Sequence, residues 1–164
     1  MNGLIIKSTK FDNVPDLKEA FALLGNSVHK YNWLLCDYDC TSYPSEKIPM
    51  NKDYVWLDGT EFANILKEHV IQFIWGVATA YVKGITIEEV LKYPLPRAEE
   101  YDGFWKPNVT LQNPLAEIEI MPLDSSLLLV IANSKDIIER FAKKYPDSQD
   151  LAKYNMDLQA KYCH

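Results

Sequence analysis

The chain is short of the residues on which most recognisable chemistry is built. Its 164 residues include three histidines, three cysteines and six glycines, and only Arg97 and Arg140 among the 17 basic residues are arginines. Arginine supplies the planar fork that reads phosphates and guanine edges, so its scarcity argues against nucleic-acid recognition. The balance of 17 basic against 23 acidic residues, −6 overall, argues the same way because such a surface repels polyanions. The glycines stand singly, and no G-x-G-x-x-G or Walker pattern cradles a phosphate. Three cysteines are too few, and odd in number, for a secreted disulfide scaffold. The longest uncharged run, Val70 to Val82, falls below the roughly 18 residues that span a bilayer. Leu4-Ile5-Ile6 is too short for the apolar core of a signal peptide. Asn108-Val109-Thr110 matches a glycosylation acceptor by spacing alone. The expectation is a cytoplasmic protein with no nucleic-acid partner, no membrane partner and no cofactor.

What is present reads as one ordinary domain over residues 1–164. Hydrophobic residues are 48% and charged residues 24%, enough to build a single core. Gly3 to Ser8 is a short apolar strand. Leu17, Phe21, Leu24 and Val28 follow Pro15 at helical spacing, predicting a helix to about His29 unless Gly25-Asn26 ends it early. Tyr31 to Cys36 and Tyr54 to Leu57 are strands, separated by a loop carrying Pro44 and Pro49. Asp58, with Glu61 three residues on, opens a helix whose inner face holds Phe62, Ile65, Leu66 and His69.

Val70 to Val82 is expected as a long central strand. Thr86 and Glu89 form a capping box ahead of a short helix that Pro94 stops. Leu95 to Pro114 is a long proline-punctuated connection, and loops of that length are commonly functional. Ala116, Ile118 and Ile120 alternate with Glu117 and Glu119, predicting a strand with those two acids on a wet face. Pro122 to Ser125 turns into the apolar strand Ser126 to Ala132. Two helices follow, one capped by Asn133-Ser134 and one from Ser148 to about Lys161. The order β-α-β-β-α-β-α-loop-β-β-α-α implies an α+β fold. It is a mostly antiparallel sheet of about five to six strands with helices packed against it.

No residue pattern announces catalysis. Cys36 and Cys40, if extended, lie about 13 Å apart, too far for one tetrahedral metal. His29 and His69 sit near helix ends, and neither belongs to a metal-binding helix motif. A Cys36 nucleophile paired with one of these histidines would have to be assembled in space. Asp124-Ser125-Ser126 lacks a nucleophile elbow and suits a turn. The pairs Glu88-Glu89, Glu99-Glu100 and Glu117/Glu119 carry no sign of the burial that separates an acid from a base. The informative segment is Glu99, Glu100, Tyr101, Asp102, Phe104 and Trp105. It sets three acids beside three aromatics, the composition of a surface that anchors a cationic partner. Asp37, Tyr38 and Asp39 would extend it if the fold brings them near.

From Leu115 to Asn155 the chain resembles small uncharacterised bacterial proteins. The residues that carry the likeness are the acidic strand, Asp124-Ser125-Ser126 with its apolar strand, and a helix with Phe141, Tyr145-Pro146 and Asp150-Leu151. Tyr31-Asn32-Trp33 is similar to the same group. Some such chains are immunity partners of polymorphic toxins, and others are domains of unknown function. The resemblance implies a cytosolic non-enzyme that binds a protein, such as a basic toxin. Two alternatives are a small enzyme or ligand-binding domain with a pocket lined by Trp33, Trp56, Trp75 and Tyr81, and a structural homodimer joined through the last helix.

Overall fold

A computed structural model describes residues 2–7 and 16–162. Ser8 and Pro15, named above, lie outside the described residues, as do the third cysteine and third histidine, Cys163 and His164. In chain order the elements are β1 (Gly3–Lys7), α1 (Leu17–Leu24), β2 (Tyr31–Cys40), β3 (Tyr54–Asp58), α2 (Gly59–Glu68) and β4 (Phe73–Val82). There follow α3 (Ile87–Val90), β5 (Ile118–Leu123), β6 (Leu127–Ala132), α4 (Lys135–Lys144), β7 (Gln149–Asp150) and α5 (Leu151–Tyr162). The strands form one antiparallel sheet in the order β3-β2-β4-β5-β6-β1-β7. The α+β class therefore holds, with seven strands rather than five or six. The added strand, β7, has two residues and leaves no alternation to read.

Residues paired across neighbouring strands point to the same side of a sheet, so the register divides the core in two. Trp33, Ala80, Ile118 and Ala132 form one row, and Leu35, Ala78, Ile120, Val130 and Leu4 form the next. Helices α1, α2 and α4 cover this face, burying Phe21, Phe62 and Phe141 against it. The Phe21 ring lies 4.4 Å from that of Trp33 and 4.8 Å from that of Phe62. Aromatic pairs at such distances add about 0.5–1.5 kcal/mol each beyond their buried area. The opposite face carries Leu34, Cys36, Val77, Tyr81, Met121, Leu129 and Ile131, all buried. Its cover is α3, the irregular chain before β5, and the start of α5.

Local chemistry sets the boundaries. The first helix stops at Leu24, because Gly25 takes φ +56° and a 3-10 turn carries the chain to Lys30. The central strand starts at Phe73 rather than at Val70, which is 79% exposed. The Asp58 side chain accepts the Thr60 N–H and pairs with Lys83, so it caps α2 without a reciprocal bond from Glu61. His69 ends α2 exposed to solvent, not on its inner face. Thr86 and Glu89 make the expected capping box. Asp124 and Ser125 both have positive φ in the three-residue connection between β5 and β6, which the Ser126 N–H closes by donating to the Leu123 carbonyl.

Where β3 runs into α2 the backbones nearly touch. A Cβ at Gly59 would overlap the carbonyl oxygen of Val28. Gly59→Ala is expected to lower stability in urea unfolding by roughly 1–3 kcal/mol, and Phe62→Ala by about 3–5 kcal/mol. An unchanged midpoint for either variant would contradict this packing.

Candidate functional site

The chain between α3 and β5, Leu91 to Glu117, contains one short 3-10 turn (Asp102–Trp105) yet shares with α3 and the start of α5 the cover of one sheet face. Irregular chain over a core has no ladder to satisfy its backbone polar groups, so side chains must do it. Asp37 does so at one limb: its carboxylate accepts the N–H groups of Ala98 (2.6 Å) and Glu99 (2.9 Å). Asp37 can reach them because β2 bulges there, holding its φ at +43°. The neighbouring Cys36 thiol donates to the Pro96 carbonyl at 3.1 Å.

Gln112 ties the two limbs of this strap together. Its side-chain oxygen accepts the Arg97 N–H (2.9 Å), and its amide nitrogen donates to the Arg97 carbonyl (3.0 Å). The same amide nitrogen and the Gln112 backbone N–H donate to the two carboxylate oxygens of Glu119 (2.9 and 3.1 Å). Further along, the Asn113 amide donates to the Val90 carbonyl, and that of Asn155 in α5 donates to the carbonyls of Phe104 (2.7 Å) and Lys106 (2.8 Å).

Glu119 overturns the wet-face expectation for β5. It is wholly buried, paired with Thr79 of β4 on the strap side of the sheet. With no cation beside it among the described residues, burial pushes its carboxyl up to about 7, against the lowering effect of the two Gln112 bonds. Its buried surroundings include the Thr79 and Tyr81 hydroxyls, both without a hydrogen-bond partner among the described residues. The available signal was β4, apolar on both faces, which marks a sheet covered on both sides.

The strap separates the predicted surface residues. Glu99, Glu100 and Asp102 face solvent, and Trp105 is 39% exposed. Glu100, with φ +54°, pairs with Arg97 at 3.3 Å. Phe104 instead plugs the core at 1% exposure, with half-buried Tyr101 edge-on to it at 4.6 Å. Asp37 acts as a clamp and the Tyr38 hydroxyl donates to the Pro49 carbonyl, so neither extends the acidic surface.

The remaining chemical candidates are dispersed. Cys36 and Cys40 belong to the cores on opposite faces of the sheet, because the bulge at Asp37 changes the alternation between them. Burial pushes the Cys40 thiol up to about 12 and that of Cys36 further, with Glu119 and Asp37 adding to the latter, so Cys36 is held as a neutral thiol. His29 shares a hydrogen bond with the Thr60 hydroxyl at 2.8 Å, and both His29 and His69 are exposed. Among the described residues no three histidine, cysteine or acidic side chains cluster as metal ligands. Trp33 and Tyr81 lie on opposite faces, so the four expected aromatics enclose no common pocket.

Among the described residues, two clefts lie near β2 and β3. One, about 520 Å³, is lined by Cys36, Asp37, Lys52, Asp53 and the limb Pro94 to Arg97. The other, about 550 Å³, lies along β3. No family model, curated protein or solved structure matches the chain.

Glu119 generates a pH prediction. In the folded chain its carboxyl binds a proton more tightly than in the unfolded chain, where it titrates near 4.5. Stability contributed by this group therefore falls as pH rises from about 4.5 to about 7, by on the order of 3 kcal/mol. Asp58, held near 2 chiefly by its Lys83 hydrogen bond, acts only below that window. Urea unfolding between pH 5 and 8 is expected to show this decline, and Glu119→Gln to flatten it. Parallel profiles for the two proteins would contradict the assignment.

Proposed function

We propose that the protein is a non-catalytic binding protein that recognises a basic protein partner, in the manner of an immunity protein occluding a toxin. The observation that carries this reading is the clamped strap. Side chains from β2, α5 and the strap itself hold its backbone, so Glu99, Glu100, Asp102 and Trp105 stand on a preorganised surface. Preorganisation removes the ordering cost that a free loop meets on binding. Exposed acids steer a cationic partner, and a half-exposed tryptophan supplies an anchor. The overall −6 charge extends the same field over longer range. Cys36, the nucleophile that an enzymatic reading would use, is a neutral thiol bonded to a carbonyl.

A second reading, a small-ligand site, has one observation in its favour: the 520 Å³ cleft with Cys36 in its wall and Lys52 and Arg97 at its rim. The two separate experimentally. Calorimetry against basic proteins encoded beside its own gene is expected to find a partner whose affinity falls with added salt. The variant E99K/E100K/D102K should bind that partner at least about ten-fold more weakly while unfolding at the parent's urea midpoint. Binding indifferent to the charge reversal, or no binding by any such protein, would overturn the reading.

A further inference from the structure

The 3-10 turn Asp102–Trp105 is held against the core at several points. Its Phe104 ring is buried, and the carbonyls on either side of Trp105, those of Phe104 and Lys106, accept the Asn155 amide at 2.7 and 2.8 Å. Tyr101 folds back over the turn so closely that a Cβ at Gly103 would overlap its ring. With the backbone fixed, the side chains that leave the turn toward solvent start from set directions, which lowers the ordering cost of any contact they make.

Side chains three residues apart eclipse one another along a 3-10 helix. Asp102 and Trp105, the first and last residues of the turn, are such a pair, and both are exposed. A carboxylate and an indole ring therefore share one outward side. Among the described residues Asp102 makes no ion pair, and no cation lies over the Trp105 ring. The neighbouring Glu100 differs, since Arg97 already pairs with it at 3.3 Å.

The two groups call for one chemistry. An aromatic face attracts a cation, and a carboxylate accepts charge-assisted N–H bonds. A guanidinium meets both demands at once, because its plane stacks on a ring while its edge donates to the carboxylate. An ammonium brings a point charge without the plane. A second copy of the chain has no such group to spare. Of its two arginines, Arg97 pairs with Glu100, and Arg140 donates to the Leu23 and Leu24 carbonyls at 3.3 and 2.9 Å.

We propose that Asp102 and Trp105 form an acceptor for an arginine side chain of the basic partner, its guanidinium stacked on the indole and paired with the Asp102 carboxylate. This inference rests on the strap being the recognition surface and names what the partner brings to it.

The test titrates the isotopically labelled full chain with the blocked tripeptide Gly-Arg-Gly and with its lysine and citrulline counterparts. Citrulline keeps the planar shape and removes the charge. The arginine peptide is expected to shift the Trp105 indole N–H and Asp102 amide resonances saturably, and to bind more tightly than either counterpart. Asp102→Asn and Trp105→Ala should each weaken it about two- to five-fold while unfolding at the parent's urea midpoint. Trp105→Phe, which keeps a ring, should weaken it less than Trp105→Ala. Three results would overturn the proposal: an arginine peptide that leaves both resonances unmoved, a lysine or citrulline peptide that binds as tightly, or affinity unchanged by both substitutions. The readout needs no partner, so it fails separately from the binding reading. A partner that responds to charge reversal on the strap but binds Asp102→Asn and Trp105→Ala unchanged leaves that reading standing and removes the arginine acceptor.

Discussion

A sheet buried on both faces must be covered twice, and here the second cover is not a helical layer but largely irregular chain. That constraint organises the rest of the molecule. Each turn of the strap over Leu34, Tyr81 and Met121 exposes backbone groups to an apolar floor, where an unpaired group costs roughly 1–3 kcal/mol. Asp37, Gln112, Asn113 and Asn155 answer this with hydrogen bonds to Ala98, Glu99, Arg97, Val90, Phe104 and Lys106. Remove these bonds and the strap is a loop. With them it is part of the fold.

Glu119 shows what such a solution entails. A carboxylate without a cation is unfavourable in a core, yet this one orients Gln112 by accepting from both its backbone and its side chain. Gln112 can then bridge the two limbs at Arg97. Positional precision in the strap is thus coupled to a group whose charge changes near neutrality. The surface that results is tied down beside its acids: the Glu99 N–H is bonded to Asp37, and Trp105 sits between two carbonyls held by Asn155. The proposed recognition of a basic partner depends on these bonds.

Much of the fold was legible in the sequence. Periodicity, the capping box at Thr86 and Glu89, and the Asp124-Ser125 turn place nearly every element in order. What escaped has physical causes. Alternation in β5 separates two faces but does not say that both are dry, so Glu119 reads as solvated. A bulge arises from tertiary fit, not from a residue pattern, so the opposed faces of Cys36 and Cys40 were hidden. The prolines and acids of the strap marked it as irregular and exposed. The inward turn of Phe104 and the clamps from Asp37 and Asn155 depend on partners 49 to 62 residues away in the chain.

Native-state amide hydrogen exchange at Ala98, Glu99 and Gln112 tests the central claim most directly. These three N–H groups bond to the Asp37 and Glu119 carboxylates. If the strap is a fixed layer of the fold, they exchange as slowly as the flanking amides of β4 and β5. Exchange at the rate of unstructured chain would show that the second face is covered only transiently, and the account of a preorganised surface would fail.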